Sequence, residues 1–412
     1  MTSLTFFNDG LESQLYPFTR TRSAADIRCG ILTLRERWEA YLNIHASGTL
    51  TTNLLQPLYP QPVVSGNTGL YINSRLLATP ELVAAMTTLQ VGQLLRDTAG
   101  VLLAARLLNV PETIGAFRQQ TTGLGETIFD GTAQLLNRSW DIFLLNGPYI
   151  RHDFDLLTHK RSSTLLPAGV VTKKTEQIFV EEGAQIGLGV LLNAGDGPIY
   201  IGKNAEIMDG AIVRGPMALG EGATIKMGAK IYGDTVIGPG CKVGGEVSNA
   251  VFFANSNKGH DGFVGNCVIG EWCNIGADTN ASNLKNNYDL IKIHDDATDK
   301  RLSTGRTFCG LLMGDHSKCG INTMFNTGTV IGVSCNIYGG EFPPAYLPSF
   351  SWGGASGLKT YTLDKALDTA SRMMARRGKT LSDAEKAILK AIFDDTAAQR
   401  ATHHSKVSAA AE

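Results

Sequence analysis

The sequence predicts a chain in three parts: an α/β domain, a parallel β-helix made of hexapeptide repeats, and a short C-terminal helical segment. Three observations support this fold class. The first part mixes strand-like and helix-like segments, the central part places an aliphatic residue at every sixth position, and the last part returns to a helical pattern. We expect the boundaries at residues 1–165, 166–357 and 358–412.

The first part contains several short segments of regular character. Thr79 and Pro80 supply an N-cap and a first-turn proline for one helix. The other predictions are strands at Leu4–Phe7, Gly69–Leu77, Val101–Leu108 and Asp141–Leu145 and a helix within Ser23–Leu42. Strands interspersed with helices are typical of an α/β domain.

The hexapeptide repeat is the most specific signal. Its in-phase aliphatic residues are Ile201, Ile207, Val213, Leu219, Ile225, Ile231, Ile237 and Val243. This period fits neither an α-helix nor an alternating strand. Each unit instead forms one strand and one corner, and three units close a triangular coil of about 18 residues. Counting onward places Asn257 and Phe263 in inward positions, and about seven or eight coils are expected.

The last part predicts two helices that cover the end of the β-helix. The first runs from Leu363 to Arg377 and is stopped by Gly378, and Ser382 with Glu385 forms a capping box for the second. The final dozen residues are rich in Ala, Ser and charged groups, so we expect them to fray.

Composition narrows the functional classes. The chain has 412 residues, 43% of them hydrophobic, and a formal net charge of −1, which argues against nucleic-acid binding through a basic surface. No apolar run is long enough to span a bilayer, so we expect a cytoplasmic protein without a membrane partner. The 7 cysteines lack metal-ligand spacing, which predicts buried thiols and no metal site.

Polar residues are concentrated where the repeat is least regular, from Asn249 to Asp289. His260 falls at a corner that faces out of the prism. A spacing of about 18 residues per coil would place Asn274 above Ser256 and Asp278 above His260, where a carboxylate would orient the imidazole. The long excursion from Ser282 to Arg306 leaves the prism nearby and is expected to form one wall of a cleft.

The stretch SNKGHDGFVGNCVIGEWCNIGADTNASNLKNNYD resembles the acetyltransferase segment of the GlmU-type bifunctional N-acetylglucosamine-1-phosphate uridyltransferase/glucosamine-1-phosphate acetyltransferase family. A Lys-x-Gly-His element, an Asn-Ile-Gly-Ala element and an Asn-Tyr-Asp loop occur in that order. The resemblance implies a left-handed β-helix, a homotrimer and acetyl-CoA or another acyl-CoA as co-substrate. It makes His260 the general base and Asn274, Asn287 and Tyr288 contacts to substrate.

This stretch also departs from the family pattern. Phe263 stands where the acetyltransferases carry a tyrosine, and Asp278 replaces a glycine. The basic residues that grip the sugar phosphate have no clear counterpart. Lys258 and Arg214 are the nearest cationic candidates for that role, and we include Lys258 and Asp278 among the expected substrate contacts.

The segment LYPFTRTRSAADI resembles the later part of the nucleotidyltransferase signature of the same family. The glycine-rich phosphate loop that should precede it is missing, and Asn73 and Ser74 occupy the place expected for a metal-binding aspartate. We therefore expect a degenerate nucleotidyltransferase-like domain, which would need Mg²⁺ only if it is active. Arg20, Arg22 and Arg28 remain possible ligands of a nucleotide or phosphate.

The leading hypothesis is an acyl-CoA-dependent acyltransferase that acts on a sugar phosphate or a nucleotide sugar. One alternative is a sugar-1-phosphate nucleotidyltransferase whose β-helix serves for trimerisation, and another is a non-catalytic nucleotide-binding scaffold. A zinc hydrolyase assembled from His260, His294 and His316 across an interface is a weaker alternative. His316 would join the face of His260 only if the excursion preserves the phase of the repeat.

Overall fold

The computed structural model describes residues 3–60 and 68–411. The chain divides into two compact units. The first unit comprises Met1–Leu15, Thr21–Ile27 and Leu32–Arg138, and the second comprises Tyr16–Arg20, Arg28–Ile31 and Ser139–Glu412. No helix in the described ranges is both long enough and apolar enough to cross a membrane.

The first unit contains a mixed sheet flanked by helices, which confirms the predicted α/β class. Its described strands are β1 (Ser3–Phe7), β2 (Ala46–Leu50), β3 (Gly69–Asn73), β4 (Gln93–Asp97), β5 (Leu102–Leu107) and β6 (Gly125–Phe129). They lie in the order β2-β1-β3-β5-β4-β6, and β5 runs antiparallel to both β3 and β4. The helices are α1 (Leu34–Leu42), α2 (Pro80–Thr88) and α3 (Ile114–Thr121).

Capping residues fix where these helices begin. Thr79 accepts a hydrogen bond from the backbone of Leu82, as predicted for α2. Thr33 and Glu36 form a capping box for α1. The predicted helix within Ser23–Leu42 is therefore shorter, because its first half forms only a 3-10 turn at Ala24–Asp26.

The predicted strand at Asp141–Leu145 is wrong, because this segment begins helix α4 (Asp141–Thr158) in the second unit. Its apolar residues continue at helical spacing beyond Leu145. Ile150 and Phe154 are buried against Ala218 and Val236 of the β-solenoid. This period becomes visible only over four helical turns, whereas five residues alone resemble a strand.

The second unit is built around a parallel β-solenoid with three faces, which confirms the predicted coil. Face A contains Val171–Lys173, Leu191–Asn193, Ile212–Arg214, Lys230–Ile231, the first halves of Glu246–Phe252 and Phe263–Ile269, Asn280–Ala281 and Met324–Phe325. Face B contains Ile178–Val180, Ile199–Ile201, Met217–Leu219, Thr235–Ile237, the second halves of those two long strands, Leu312–Met313, Val330–Ile331 and Tyr346–Leu347. Face C contains Gln185–Ile186, Glu206–Ile207, Thr224–Ile225, Lys242–Val243, Asn257–Lys258, Lys318–Cys319, Asn336–Ile337 and Ser351–Gly354.

The aliphatic ladder of the repeat fills the interior of the solenoid. Ile207, Ile225 and Val243 stack on successive coils of face C and are fully buried. Each coil contributes one strand to face B, and this face has more strands than the seven or eight coils that were predicted. The repeat thus continues through coils with weak sequence signals. All 7 cysteines are buried free thiols, as predicted.

The coil after Val243 is shorter than the others. As a result, two inward positions lie one residue later in the chain than the sequence count predicted. Val243 pairs with Lys258, a step of 15 residues instead of 18. Lys258 therefore points inward, whereas the sequence count assigned that position to Asn257. On face A, Val264 is the buried residue in register with Val247, and the neighbouring Phe263 is only half-buried.

Beyond the solenoid, the chain forms the helices α5 (Leu363–Ala375), α6 (Asp383–Asp395) and α7 (Ala397–Ala411). The capping box of Ser382 and Glu385 is present as predicted. Helix α7 continues to Ala411, within the tail that the sequence predicted to fray. The remaining described elements are the antiparallel hairpin Lys292–Asp295/Lys300–Ser303, the strand Gly357–Thr360 and 3-10 turns at Glu12–Leu15, Phe18–Arg20, Gln56–Leu58 and Thr175–Gln177.

Candidate functional site

His260 lies at the corner that joins face C to face A, and its side chain is exposed. The ring makes no hydrogen bond to any residue in the ranges 3–60 and 68–411. Gly262 allows the chain to close this corner, since its φ is +107° and a Cβ there would lie 2.1 Å from the carbonyl oxygen of Thr279. The imidazole is thus exposed at an outward corner, as the sequence predicted.

Lys258 holds this corner from inside the prism. Its side chain is fully buried, and Nζ donates hydrogen bonds to the carbonyl oxygens of His260 at 2.7 Å and Asp261 at 3.0 Å. Burial lowers the pKa of Lys258 to about 8, although the charges of Asp261 and Asp278 oppose this shift. Lys258 thus supports the backbone of this corner from inside the prism, and its predicted contact with substrate stays a prediction.

The next coil stacks on this corner one residue out of the predicted register. Asn274 pairs with Asn257, and their side-chain amides lie 3.5 Å apart. The backbone N–H of Asp278 donates to the carbonyl oxygen of Asp261 at 3.0 Å. The predicted placements of Asn274 over Ser256 and of Asp278 over His260 are wrong, because this coil has 17 residues from Asn257 to Asn274.

The excursion of residues 282–306, which we call the flap, leaves the prism at the corner between face A and face B. It lines a cavity of about 610 Å³ together with residues of later coils. Three basic side chains of the flap, Lys285, Lys292 and Arg301, line this cavity, and so does Asn287. The arrangement is suited to an anionic ligand.

Of the predicted flap contacts, Asn287 belongs to the cavity wall, whereas Tyr288 is 71% exposed outside the lining. The side-chain amide of Asn287 donates to Oδ2 of Asp289 at 2.6 Å. Lys292 and Arg301 were not predicted. They meet at the cavity because the hairpin pairs Lys292 with Ser303 and His294 with Arg301, a pairing that sequence spacing does not show.

His260 and the flap cavity lie at opposite edges of face A. The corner of His260 precedes the strand Phe263–Ile269, whereas the flap begins directly after Asn280–Ala281 on the next coil. None of the residues that line the cavity comes from the corner of His260. One chain therefore does not bring all the predicted site residues together.

His316 does not join His260, because it lies at a third corner, between face B and face C. It is buried, and its ring stacks on Trp272 with the centroids 6.5 Å apart. The flap has thus not preserved the phase on which the alternative depended.

Arg20, a predicted ligand of a nucleotide or phosphate, is buried and paired with two carboxylates. Its guanidinium donates to Asp296 at 2.6 Å and to Asp395 at 2.9 Å, and the residue is 7% exposed. Arg22 and Arg28 are also buried. Arg28 donates to the carbonyl oxygen of Ile31.

In the first unit, an arginine neutralises the acid nearest to the end of β3. Arg75 pairs with Asp9 at 2.5 Å, and the amide of Asn73 donates to the same carboxylate at 3.0 Å. Burial opposes ionisation of Asp9, but Arg75 outweighs it and lowers the pKa of the carboxyl. Asn73 and Ser74 are fully buried and offer no carboxylate.

Comparison with known proteins places these features in a family. A profile described as sugar nucleotidyl transferase matches residues 4–162. The chain is 36% identical over 95 residues to the bifunctional sugar-1-phosphate nucleotidylyltransferase/acetyltransferase of Sulfurisphaera tokodaii, which is 23% of either chain. It is 31% identical over 159 residues to the uncharacterized acetyltransferase YaiX of Escherichia coli, covering 38% of this chain and 68% of that protein.

This chain belongs to the family of the acetyltransferase YaiX, more than two thirds of which it covers. The match to the bifunctional Sulfurisphaera relative spans less than a quarter of that protein's length. Among solved structures, a UDP-N-acetylglucosamine acyltransferase of Arabidopsis is 16% identical, covering 59% of this chain and 93% of that one with a TM-score of 0.23. In this relative of YaiX, the candidate functional residues lie at the corner of His260 and in the flap.

Proposed function

We propose that this chain is an acyl-CoA-dependent acyltransferase that acts on a sugar phosphate or a nucleotide sugar. The observation that carries the proposal is the exposed imidazole of His260 on a corner that Lys258 fastens from inside. A general base must be open to substrate and fixed in position, and this corner satisfies both conditions. Membership of the YaiX acetyltransferase family and the local similarity to bifunctional sugar-1-phosphate nucleotidylyltransferase/acetyltransferases support the same chemistry.

His260 would act on the acceptor. Its neutral ring nitrogen removes a proton from the acceptor amine or hydroxyl as that group attacks the thioester carbonyl. The new C–N or C–O bond forms while the C–S bond breaks. The imidazolium then returns its proton to the departing thiolate, so that free coenzyme A and an acylated sugar are the products.

The flap cavity would bind the anionic groups of these substrates. Lys285, Lys292 and Arg301 supply positive charge, and phosphate groups of acyl-CoA or of the sugar acceptor are suitable ligands for such a set. His260 lies at the other edge of face A. We therefore propose that a complete site joins the corner of one protomer to the flap of another within a homotrimer.

In the first unit we propose that the nucleotidyltransferase site is degenerate. The residues present do not fit Mg²⁺, because the guanidinium of Arg75 already neutralises Asp9 and the neighbouring Asn73 carries no charge. The match to the sugar nucleotidyl transferase profile nevertheless favours a second candidate, a sugar-1-phosphate nucleotidyltransferase whose solenoid serves for trimerisation. A nucleotide-binding scaffold without catalysis is the third.

The experiment is a product assay with the full chain. Acetyl-CoA and other acyl-CoA donors are incubated with amino-sugar phosphates and nucleotide sugars, and free thiol is measured. We expect thiol release that His260→Ala abolishes while light scattering shows an unchanged assembly. The control His45→Ala removes a histidine whose side chain is 98% exposed in the first unit and should keep full activity.

Three other results would count against the proposal or its assignment of the base. Pyrophosphate release from a nucleoside triphosphate and a sugar phosphate, without thiol release, would favour the nucleotidyltransferase. Neither product over the whole panel would favour the scaffold. Thiol release that persists in His260→Ala would refute the assignment of the base.

A further inference from the structure

Three potential metal ligands converge between the flap and the C-terminal helix, at a place to which the proposed reaction gives no role. Nε2 of His294 lies 2.9 Å from Oδ1 of Asp299, and Nε2 of His403 lies 2.8 Å from the same oxygen. All three atoms lie within 4.8 Å of one another. His294 is on the first strand of the flap hairpin, Asp299 is in its turn, and His403 is on α7.

We propose that His294, Asp299 and His403 bind a divalent transition-metal ion, with zinc as the best match, and that this ion joins the flap to α7. Two imidazole nitrogens and one carboxylate oxygen form a donor set that zinc uses in proteins. Each histidine presents the same ring nitrogen to the same point. Small side-chain movements are enough to reach metal–ligand distances of about 2.0–2.2 Å.

Surrounding contacts hold the two imidazoles in place. The ring of Tyr346 stacks on His294 with the centroids 3.7 Å apart and meets the edge of His403 at 4.9 Å. The side-chain amide of Gln399 on α7 donates to the carbonyl oxygen of Asp296 at 2.9 Å, within the turn that carries Asp299. A site held in this way loses little freedom on binding a metal.

Both imidazoles are also largely enclosed by protein. His294 and His403 have side chains only 11% and 15% exposed.

Three protein ligands leave one position of a tetrahedral site for water or another small ligand. Tyr346 and His403 line a second cavity of about 350 Å³, which gives that position access from outside. The hairpin that carries His294 also supplies Lys292 and Arg301 to the larger cavity. Binding of the metal would therefore order the basic wall of that cavity.

The test is a zinc titration of the full chain after removal of metal with a chelator, followed by calorimetry. We expect one tight site per chain and a rise in melting temperature on addition of zinc. Cobalt(II) titrated into the same protein should give the visible absorption of a four-coordinate site. Both readouts measure binding alone, so they are independent of the proposed acyl transfer.

Four variants make the test specific. His294→Gln and His403→Gln should weaken zinc binding by about 100-fold or more, which is the scale of losing a ligand or its support. Asp299→Asn keeps an oxygen that can accept from both imidazoles, so it should fold normally and still lose affinity. The matched control, His404→Gln, changes the neighbouring histidine of α7, which contacts Ser351 instead of Asp299, and should bind zinc as the wild type does.

The proposal fails if the wild type binds no zinc, or if Asp299→Asn and His403→Gln bind it as tightly as the wild type. It also fails if His404→Gln loses as much affinity as His403→Gln. The first two results would show that the three side chains form a hydrogen-bonded cluster only, and the third would show that they are not the specific ligands.

Discussion

The ammonium group of Lys258 lies 2.7 Å from the carbonyl oxygen of His260, two residues further along the chain. A charged group thus occupies a position that Val243 and Ile275 fill on the adjoining coils of face C. Burying an ammonium group is costly unless its hydrogens are paired. Here that pairing fixes the backbone of the corner that displays the proposed base.

Replacing Lys258 with Met should reduce acyl transfer more than it reduces stability. Methionine fills a similar volume in the aliphatic ladder, but it leaves the carbonyl groups of His260 and Asp261 without their donor. A small displacement of a catalytic group costs about 100-fold in rate, so we expect kcat to fall by one to two orders of magnitude with KM little changed. Steady-state kinetics alongside urea unfolding would measure both effects.

Lys242→Met is the matched control for this prediction. Lys242 lies on the preceding coil of the same face, in register with Asn257, and its side chain is exposed. It should behave as the wild type in both measurements. A Lys258→Met enzyme that keeps the full kcat would show that the corner does not need its anchor.

The same lysine should make stability depend on pH in the alkaline range. Its pKa is about 8 in the folded chain because of burial, against 10.5 as the ordinary value. Between these two values the unfolded chain binds more protons, so the free energy of unfolding contributed by this group rises with pH. Below about pH 8 the contribution is constant, because both states are protonated.

Urea midpoints of the wild type and of Lys258→Met, measured across that window, would test the sign. The wild type should gain stability relative to the variant as pH rises. Lys318→Met should show the same trend, since burial also lowers the pKa of Lys318 to about 8. Parallel curves for wild type and variants would contradict the prediction.

Breaking the buried ion pair of Arg20 and Asp296 should cause a large loss of stability and no direct loss of ligand binding. Removing one partner of a buried ion pair costs about 3–5 kcal/mol, because the other charge remains unpaired. Arg20→Met should therefore strongly lower the free energy of unfolding. Tyr346 also donates to Asp296, so the lost pairing affects the base of the flap as well.

Denaturant unfolding with two further variants would check this assignment. Asp296→Asn introduced together with Arg20→Met should recover part of the loss, because the unpaired charge is removed. Arg214→Met breaks the exposed pair with Asp196 and should leave the midpoint unchanged. If Arg20→Met is as stable as the wild type but loses nucleotide binding, Arg20 is a ligand contact after all.

The sequence alone was enough to predict the features that depend on a short repeating pattern of residues. The six-residue ladder predicted the solenoid and its buried residues such as Ile207 and Val243, since each coil repeats the same geometry. It failed at Lys258, where the coil shortens to 15 residues and a charged residue takes the inward position. No count that assumes a constant coil length can place such a residue.

Contacts between segments that are distant in the chain could also not be predicted from the sequence. His294 and His403 are separated by more than 100 residues, and they meet at Oδ1 of Asp299, because His403 on α7 reaches the turn of the flap hairpin. Arg301 reaches the cavity through a hairpin register. The exposure of His260 could be predicted, since a corner position follows directly from the repeat.

Because His260 lies far from the flap of its own chain, we predict that two inactive variants recover activity when they are mixed in one trimer. His260→Ala removes the base, and Lys292→Met with Arg301→Met on one chain removes two charges from the cavity. Each variant alone should be inactive. In randomly mixed trimers, roughly a quarter of the sites combine an intact corner with an intact flap from a neighbour, so about a quarter of the wild-type thiol release should return.

Co-expression followed by the thiol assay would measure this recovery. The control mixes the flap variant with a chain that carries all three substitutions, which offers no intact flap and should remain inactive. A site formed within one chain gives no recovery in either mixture, because every chain lacks one half of it. Recovery confined to the first mixture would therefore locate the reaction between the corner of one protomer and the flap of the next.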